Sequence, residues 1–419
     1  MKKNMLFRCL IWGVALSGGL ALTACGGKSG EQPAATASEA RDADSASIVT
    51  PVYATGFKVK YLEGGVRLVD ISAPDRKGKK KDDSGEPKKG HSEKKERGGE
   101  TQVESHASGY RFALVPRGTK AEVPEGYTKV EVPIKSTICM TALQLSNFTA
   151  LGAHDFVSGI TGTKNLFNKD ILQRVKDGRI VKIGMEGNFD PELIMAANPD
   201  VIFISPFKRG GYDAIKETGI TLVPHLGYKE LHPLGQAEWV KFVALFIGKE
   251  REANELFAGI EGRYNGLKEK VMAAKYETRP SVFSGEMHYG NWHAVGGRNY
   301  LAQIFRDAGA RYVIDDDETS GEDLEFEKMY SLAAQADYWR ILNSYPGEFS
   351  YAALRASEPR NELFKAYKEH KVIYCNMKQT AYYEISPVQP DLLLKDFVAI
   401  FHPELVEKDY RPAFYRLLE

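Results

Sequence analysis

Residues 190–204 read Asp-Pro-Glu-Leu-Ile-Met-Ala-Ala-Asn-Pro-Asp-Val-Ile-Phe-Ile. Asp190 is a good helix N-cap and Pro191 is preorganised for the first helical position, so Pro191–Ala197 is predicted to be a helix. Four apolar residues, Val201–Ile204, then predict a strand. The same alternation extends in both directions. Upstream lie strands Ile134–Met140, Phe156–Ile160 and Arg179–Ile183, with a helix over Ala142–Leu151 that ends at Gly152. Downstream lie a helix near Gly211–Thr218 and a strand at Ile220–Val223. Strands alternating with helices predict an α/β architecture with a mostly parallel, doubly wound sheet.

After His232-Pro233 two helices follow in succession. Gln236–Ile247 closes at Gly248. Glu250 to about Ala274 then sets Ala253, Leu256, Phe257, Ile260, Tyr264, Leu267 and Val271 at steps of three and four, a single apolar stripe. A helix of that length spans about 38 Å, enough to cross between two domains. Beyond Arg279-Pro280 the alternation resumes. Strands are predicted at Ser281–Ser284, Trp292–Val295, Arg311–Ile314, Tyr338–Leu342 and Val372–Asn376. Helices are predicted at Tyr300–Ala308, Phe326–Ala334, Asn361–Glu369 and Asp391–Ile400.

The whole chain has 419 residues, 43% hydrophobic and 27% charged, with 56 Lys plus Arg against 56 Asp plus Glu. This balance argues against a nucleic-acid partner. At the start, Lys2, Lys3 and Arg8 precede an apolar run, Cys9–Leu20, and then Leu22-Thr23-Ala24-Cys25. The run is too short for a permanent membrane span and suits a cleaved export signal, residues 1–24. Residues 25–49 are small and polar, the composition of a flexible tether. From Pro51, alternating residues and a Glu63-Gly64-Gly65 turn predict strands, with further runs at Tyr110–Val115 and Thr128–Val132. Residues 50–133 therefore read as a small N-terminal antiparallel β appendage. Within it, residues 76–99 hold ten Lys or Arg and five Asp or Glu with no large apolar side chain, which predicts a disordered surface loop. Cys139 and Cys375 read as two buried thiols, with a disulfide as the alternative in an oxidising compartment.

Several segments together resemble a known family. Leu151-Gly152-Ala153-His154-Asp155-Phe156-Val157-Ser158-Gly159-Ile160 and Pro191–Phe203 resemble the first lobe of the ABC-importer substrate-binding proteins for ferric siderophores, haem and cobalamin, the class III periplasmic binding proteins. Gly290–Gly297 and Asp307-Ala308-Gly309-Ala310 resemble the second lobe. His232–Phe242 and Phe401-His402-Pro403-Glu404-Leu405 are similar to the Bacteroidetes branch. Leu22–Cys25 resembles a bacterial lipobox, which implies lipidation at Cys25 and a cell-envelope location facing the periplasm. The resemblance implies two Rossmann-like lobes, residues 134–233 and 279–419, joined by a long rigid helix within 234–278. It implies a monomer that binds a small-molecule metal chelate in the interlobe cleft, holds no permanent cofactor, and delivers its iron chelate, haem or corrinoid to an ABC permease with its ATPase.

In the family a glutamate of each lobe docks on permease arginines. Glu192 stands eight residues before Asp200, at the family's spacing. Glu327 is its counterpart but stands ten residues before Asp337, which leaves Glu325 as a competitor. Cleft-lining loops are expected after the strands, at Met140–Leu143, Gly162–Asn165, Pro206–Gly211, Glu286–Trp292 and Asn376–Tyr383. They offer Met140 and Thr141, with Tyr289 and Trp292 to stack on a conjugated ligand and Lys208, Arg209 and Lys378 to pair with anionic groups. Trp239 and Trp339 read as core. His154, His225, His288 and His293 are too scattered for a bare-metal site, although His293, His288 or Tyr289 could ligate haem iron. No hydrolase motif of the Gly-x-Ser-x-Gly, His-Glu-x-x-His or Gly-x-x-x-x-Gly-Lys type occurs, so the chain does not read as an enzyme. Two other classes remain: a lipoprotein hydrolase, and a surface receptor or adhesin that binds polyanions through residues 76–99.

Overall fold

A computed structural model describes residues 45–73, 109–185, 188–206 and 212–419. The proposed signal, Cys25, most of the tether and the basic loop at 76–99 lie outside them, as do Lys208 and Arg209. The first sheet contains β1 (Phe57–Tyr61), β2 (Arg67–Ile71), β3 (Tyr110–Pro116) and β4 (Thr128–Val132), in that order. β1, β2 and β3 pair antiparallel, but β4 joins β3 in parallel. The connection over residues 117–127 is long enough to return the chain to its starting edge, which a hairpin turn is not.

The N-terminal lobe begins with β5 (Thr137–Cys139), α1 (Ala142–Ala150), β6 (Val157–Ile160), α2 (Lys169–Lys176) and β7 (Val181–Lys182). A small hairpin, β8 (Gly184–Met185) with β9 (Asn188–Phe189), leads into α3 (Pro191–Ala196). Asp190 caps α3 as expected, its Oδ1 accepting the Glu192 and Leu193 amides at 3.0 and 3.1 Å. Then come β10 (Val201–Ile204), α4 (Tyr212–Lys216) and β11 (Thr221–Pro224). The five strands run in the order β11-β10-β5-β6-β7 and all four pairings are parallel, so the winding direction reverses between β5 and β10.

Two helices follow, α5 (Pro233–Ile247) and α6 (Glu250–Ala273), with Gly248 at φ 69° supplying the left-handed residue that ends α5. All 15 residues of α5 are buried. It lies beneath the first sheet, where the Phe57 ring meets Trp239 at 5.1 Å and Phe242 at 5.4 Å. The 24 residues of α6 bury Ala253, Phe257, Ile260, Tyr264 and Val271 of the predicted stripe, with Leu256 and Leu267 half-buried.

The C-terminal lobe contains β12 (Ser281–Ser284), β13 (Glu286–His288), β14 (Asn291–Val295), α7 (Tyr300–Asp307), β15 (Arg311–Tyr312) and β16 (Gly321–Leu324). It continues through α8 (Phe326–Ala333), β17 (Tyr338–Asn343), α9 (Tyr351–Ser357), α10 (Lys365–Lys368) and β18 (Val372–Asn376). It closes with α11 (Tyr382–Ile385), α12 (Pro390–Phe401) and β19 (Arg416–Leu417). The main sheet runs β15-β12-β17-β18-β19, parallel except for β19, and reverses direction between β12 and β17. A separate antiparallel sheet, β13-β14-β16, stands beside it. Thus two doubly wound lobes are joined through a long helix. Cys139 and Cys375 are buried free thiols, one in each lobe's sheet, and burial pushes the Cys375 thiol up to about 12.

Candidate functional site

Open α/β sheets form a crevice at the carboxyl ends of their strands, where the winding reverses. In the N-terminal lobe that position follows β5. Thr141 caps α1, and the Gln144 side chain reaches back to the Met140 and Thr141 amides at 2.7 and 3.1 Å, a complete capping box. Gln144 also donates to Ser205 Oγ at 3.2 Å, tying the ends of β5 and β10 together. In the C-terminal lobe the equivalent position adjoins β17. A cavity of about 510 Å³ opens between the two, walled by Thr141–Leu143 and Tyr228 on one side and by Tyr300, Arg340, Tyr382 and Tyr383 on the other.

Arg340 is 7% exposed, and its Nε donates to the Tyr415 hydroxyl at 2.7 Å, with Nη2 directed to the same oxygen. The Tyr300 and Tyr382 hydroxyls lie 3.5 Å apart. Burial raises the Tyr300, Tyr382 and Tyr383 phenols above their ordinary pKa, so they stay protonated at neutral pH. The cavity is thus aromatic, with hydroxyl and guanidinium groups at its wall.

The lobes also meet through α11. Glu384, 8% exposed, accepts the Phe167 and Asn168 amides at 2.5 and 2.9 Å, just ahead of α2 in the other lobe. A smaller cavity, about 310 Å³, adjoins this contact. Hydrogen bonds to a charged acceptor contribute about 1.5–3 kcal/mol each. Glu384→Ala is therefore expected to speed hydrogen exchange at Phe167 and Asn168 at least tenfold, with the β10 and β18 amides unchanged. Unaltered protection at those two amides would show that the carboxylate does not hold the lobes together.

The expected site residues divide. Thr141 lines the cavity, with Met140 buried directly behind it. Trp292 does not line it: it is fully buried, donates from Nε1 to Ser284 O at 2.9 Å, and packs 5.4 Å from both Trp339 and Phe364. Pairing of β14 with both β13 and β16 turns this ring toward the core, beside the sheet that also buries Trp339. Tyr289 is exposed at a two-residue hairpin tip, at φ 50° followed by Gly290 at φ 88°, away from the lining residues. Lys378 is exposed and also does not line the cavity. Gly162–Lys164 line a separate open groove of about 760 Å³ in the N-terminal lobe. The His288 and His293 rings lie tilted with centroids 5.4 Å apart on the β13-β14-β16 sheet, and His293 pairs with Asp323. Among the described residues, no three His, Cys, Asp or Glu side chains converge to hold a metal ion.

Sequence reading missed Tyr228, Tyr300 and Arg340. Arg340 was detectable as the lone charge in the strand Tyr338-Trp339-Arg340-Ile341-Leu342. Glu192 and Glu327 are both exposed. Each holds the second position of a helix, after Asp190-Pro191 in α3 and after Glu325-Phe326 in α8. Glu327 also pairs with Arg360 at 3.0 Å.

Two uncharacterised lipoproteins of Methanocaldococcus jannaschii are similar in sequence. One is 28% identical over 320 residues, covering 71% of this chain and 74% of the relative. The other is 24% identical over 328 residues, covering 75% and 81%. Among solved structures, a periplasmic haem-binding protein from Pseudomonas aeruginosa superposes with a TM-score of 0.54 at 17% identity, over 67% of this chain and 97% of that one. A periplasmic binding protein from Veillonella parvula gives 0.52 at 16% identity, over 70% and 94%. A family model for periplasmic binding proteins matches residues 138–378, from β5 through β18, and the chain belongs to that family.

Proposed function

We propose that this chain is the lipid-anchored solute-binding component of an ABC importer. It captures a metal chelate between its lobes, a ferric siderophore first, with haem and cobalamin as the other candidates, and delivers it to the permease. The observation that carries this reading is the cavity of about 510 Å³ walled by both lobes at the carboxyl ends of their sheets. That volume is within the range of small-molecule sites, and its aromatic wall suits a flat or bulky chelate. The Pseudomonas fold neighbour binds haem. Anchoring through Cys25 is supported by the lipobox-like Leu22–Cys25 and by the lipoprotein relatives.

Permease docking through Glu192 and Glu327 is supported by their matched helical positions. Asp190, Pro191 and Leu193 share a groove with Thr161–Lys164, just past the end of β6. Phe326 packs 6.3 Å from Trp292, whose indole is bonded to the last residue of β12. Both glutamates therefore start helices on the carboxyl-end side of their sheets. The matched position favours Glu327 over Glu325, which occupies the N-cap.

The test is an absorbance spectrum with metal analysis of full-length protein purified in mild detergent from iron-limited native cells. A Soret band, a charge-transfer band or a corrin spectrum is expected, each naming one cargo. A colourless, metal-free protein that also fails to bind any added chelate would overturn the reading.

A further inference from the structure

The third residue of β17 is an arginine between two fully buried neighbours, Trp339 and Ile341. A buried guanidinium is costly to desolvate and is ordinarily matched by a carboxylate. Arg340 has no ion pair with any described residue; the acceptor of its hydrogen bonds is the Tyr415 phenol, whose ring also lies under the guanidinium at 5.1 Å. A neutral phenol satisfies N–H groups but leaves the charge uncompensated. Glu286 feels the charge of Arg340 but is bonded to Asn343 Nδ2 at 3.0 Å, with burial raising its carboxyl to about 7.

The remaining wall adds donors. No described Asp or Glu lines the cavity, whereas Tyr300, Tyr382 and Tyr383 present phenols. An arginine is always charged, and protonated tyrosines can donate to an anionic oxygen at no cost in proton release. No carboxylate among the described residues is bonded to the Arg340 guanidinium, so an anionic occupant of the cavity would be its direct counter-charge.

We propose that the interlobe cavity selects an anionic ligand, with Arg340 as the fixed cation that receives its carboxylate or catecholate oxygens and Tyr300, Tyr382 and Tyr383 as neutral donors around them. This rests on the reading of the cavity as the solute site and deepens it, placing anionic chelates ahead of neutral hydroxamate chelates and neutral corrinoids.

Full-length protein in detergent is titrated with four probes: a trianionic ferric tris-catecholate, the neutral ferric tris-hydroxamate ferrichrome, iron(III) protoporphyrin IX with its two propionates, and neutral cyanocobalamin. At least one anionic probe is expected to bind tenfold or more tighter than both neutral ones. The catecholate and propionate arms distinguish which source of anionic oxygen fits. Arg340→Gln should remove at least tenfold of that affinity, and Arg340→Lys should restore part of it. Circular dichroism checks that the variants are folded, and the wild-type comparison needs no variant. Neutral probes binding as tightly as anionic ones would overturn the selection of anions while leaving chelate capture intact. Failure of all four probes to bind would overturn both.

Discussion

Converting Glu192 and Glu327 together to alanine is expected to reduce uptake of the chelate to background while leaving its affinity for the isolated protein within twofold of wild type. Both side chains are exposed, and neither lines the interlobe cavity. Exposed ion pairs such as Glu327 with Arg360 contribute roughly 0–1 kcal/mol to stability, so folding is barely affected. A glutamate desolvated against a permease arginine contributes more, about 1.5–3 kcal/mol per charge-assisted bond. Losing one in each lobe weakens the complex by two or more orders of magnitude. Each single variant should retain partial uptake, because on the proposed docking the other lobe would still be held. Transport assays in cells, paired with binding to purified protein, separate the two effects. Normal uptake by the double variant would end the docking assignment, and so would a parallel loss of chelate affinity.

Replacing Glu238 with alanine is expected to destabilise the protein by about 3–5 kcal/mol, the range for removing one partner of a buried charge pair. Glu238 is fully buried on α5. Its carboxylate accepts the amides of Val52, Tyr53 and Ala54 at 2.7–2.9 Å and the Lys241 ammonium at 2.8 Å. Alanine leaves three backbone donors without an acceptor and strands Lys241, whose side chain is 9% exposed and lies 4.2 Å above the Phe257 ring. Glu230 makes the neighbouring clasp, accepting from the Thr55 and Gly56 amides and from Trp239 Nε1. The chain passes so close that a Cβ at Gly56 would stand 2.7 Å from the Trp239 ring. Urea unfolding of the full-length protein measures the change, and a loss below 1 kcal/mol would show that water replaces the carboxylate.

The frame of the molecule was readable because its elements carry strong local signals. Asp190-Pro191 begins α3, Gly248 separates α5 from α6, and Val201–Ile204 is β10 to the residue. Elements without such signals escaped notice. α2 spans only eight residues, so its apolar face of Ile171, Leu172 and Val175 is too short to stand out as a period. β19 has two residues, too few to show any period, and exists because β18 offers it an edge. β13 and β16 stood where a loop and no element were expected, since pairing partners, not propensity, define them.

The site was harder to read because a loop's position does not fix where its side chains point. Of the residues expected at strand ends, Thr141 lines the interlobe cavity, whereas the register of β14 turns Trp292 inward. Arg340 was overlooked because it sits within a strand, where charge is expensive and ordinarily excluded. That expense is the clue: a buried guanidinium without a carboxylate is incomplete by itself.

The grip of Glu230 and Glu238 on residues 52–56 decides where a leash from the membrane would be moored. Residues 52–54 are tied to Glu238 on α5, and residues 55–56 to Glu230 just ahead of it. On the proposed anchoring, tension from the bilayer would then fall first on α5 and the segment that leads into it.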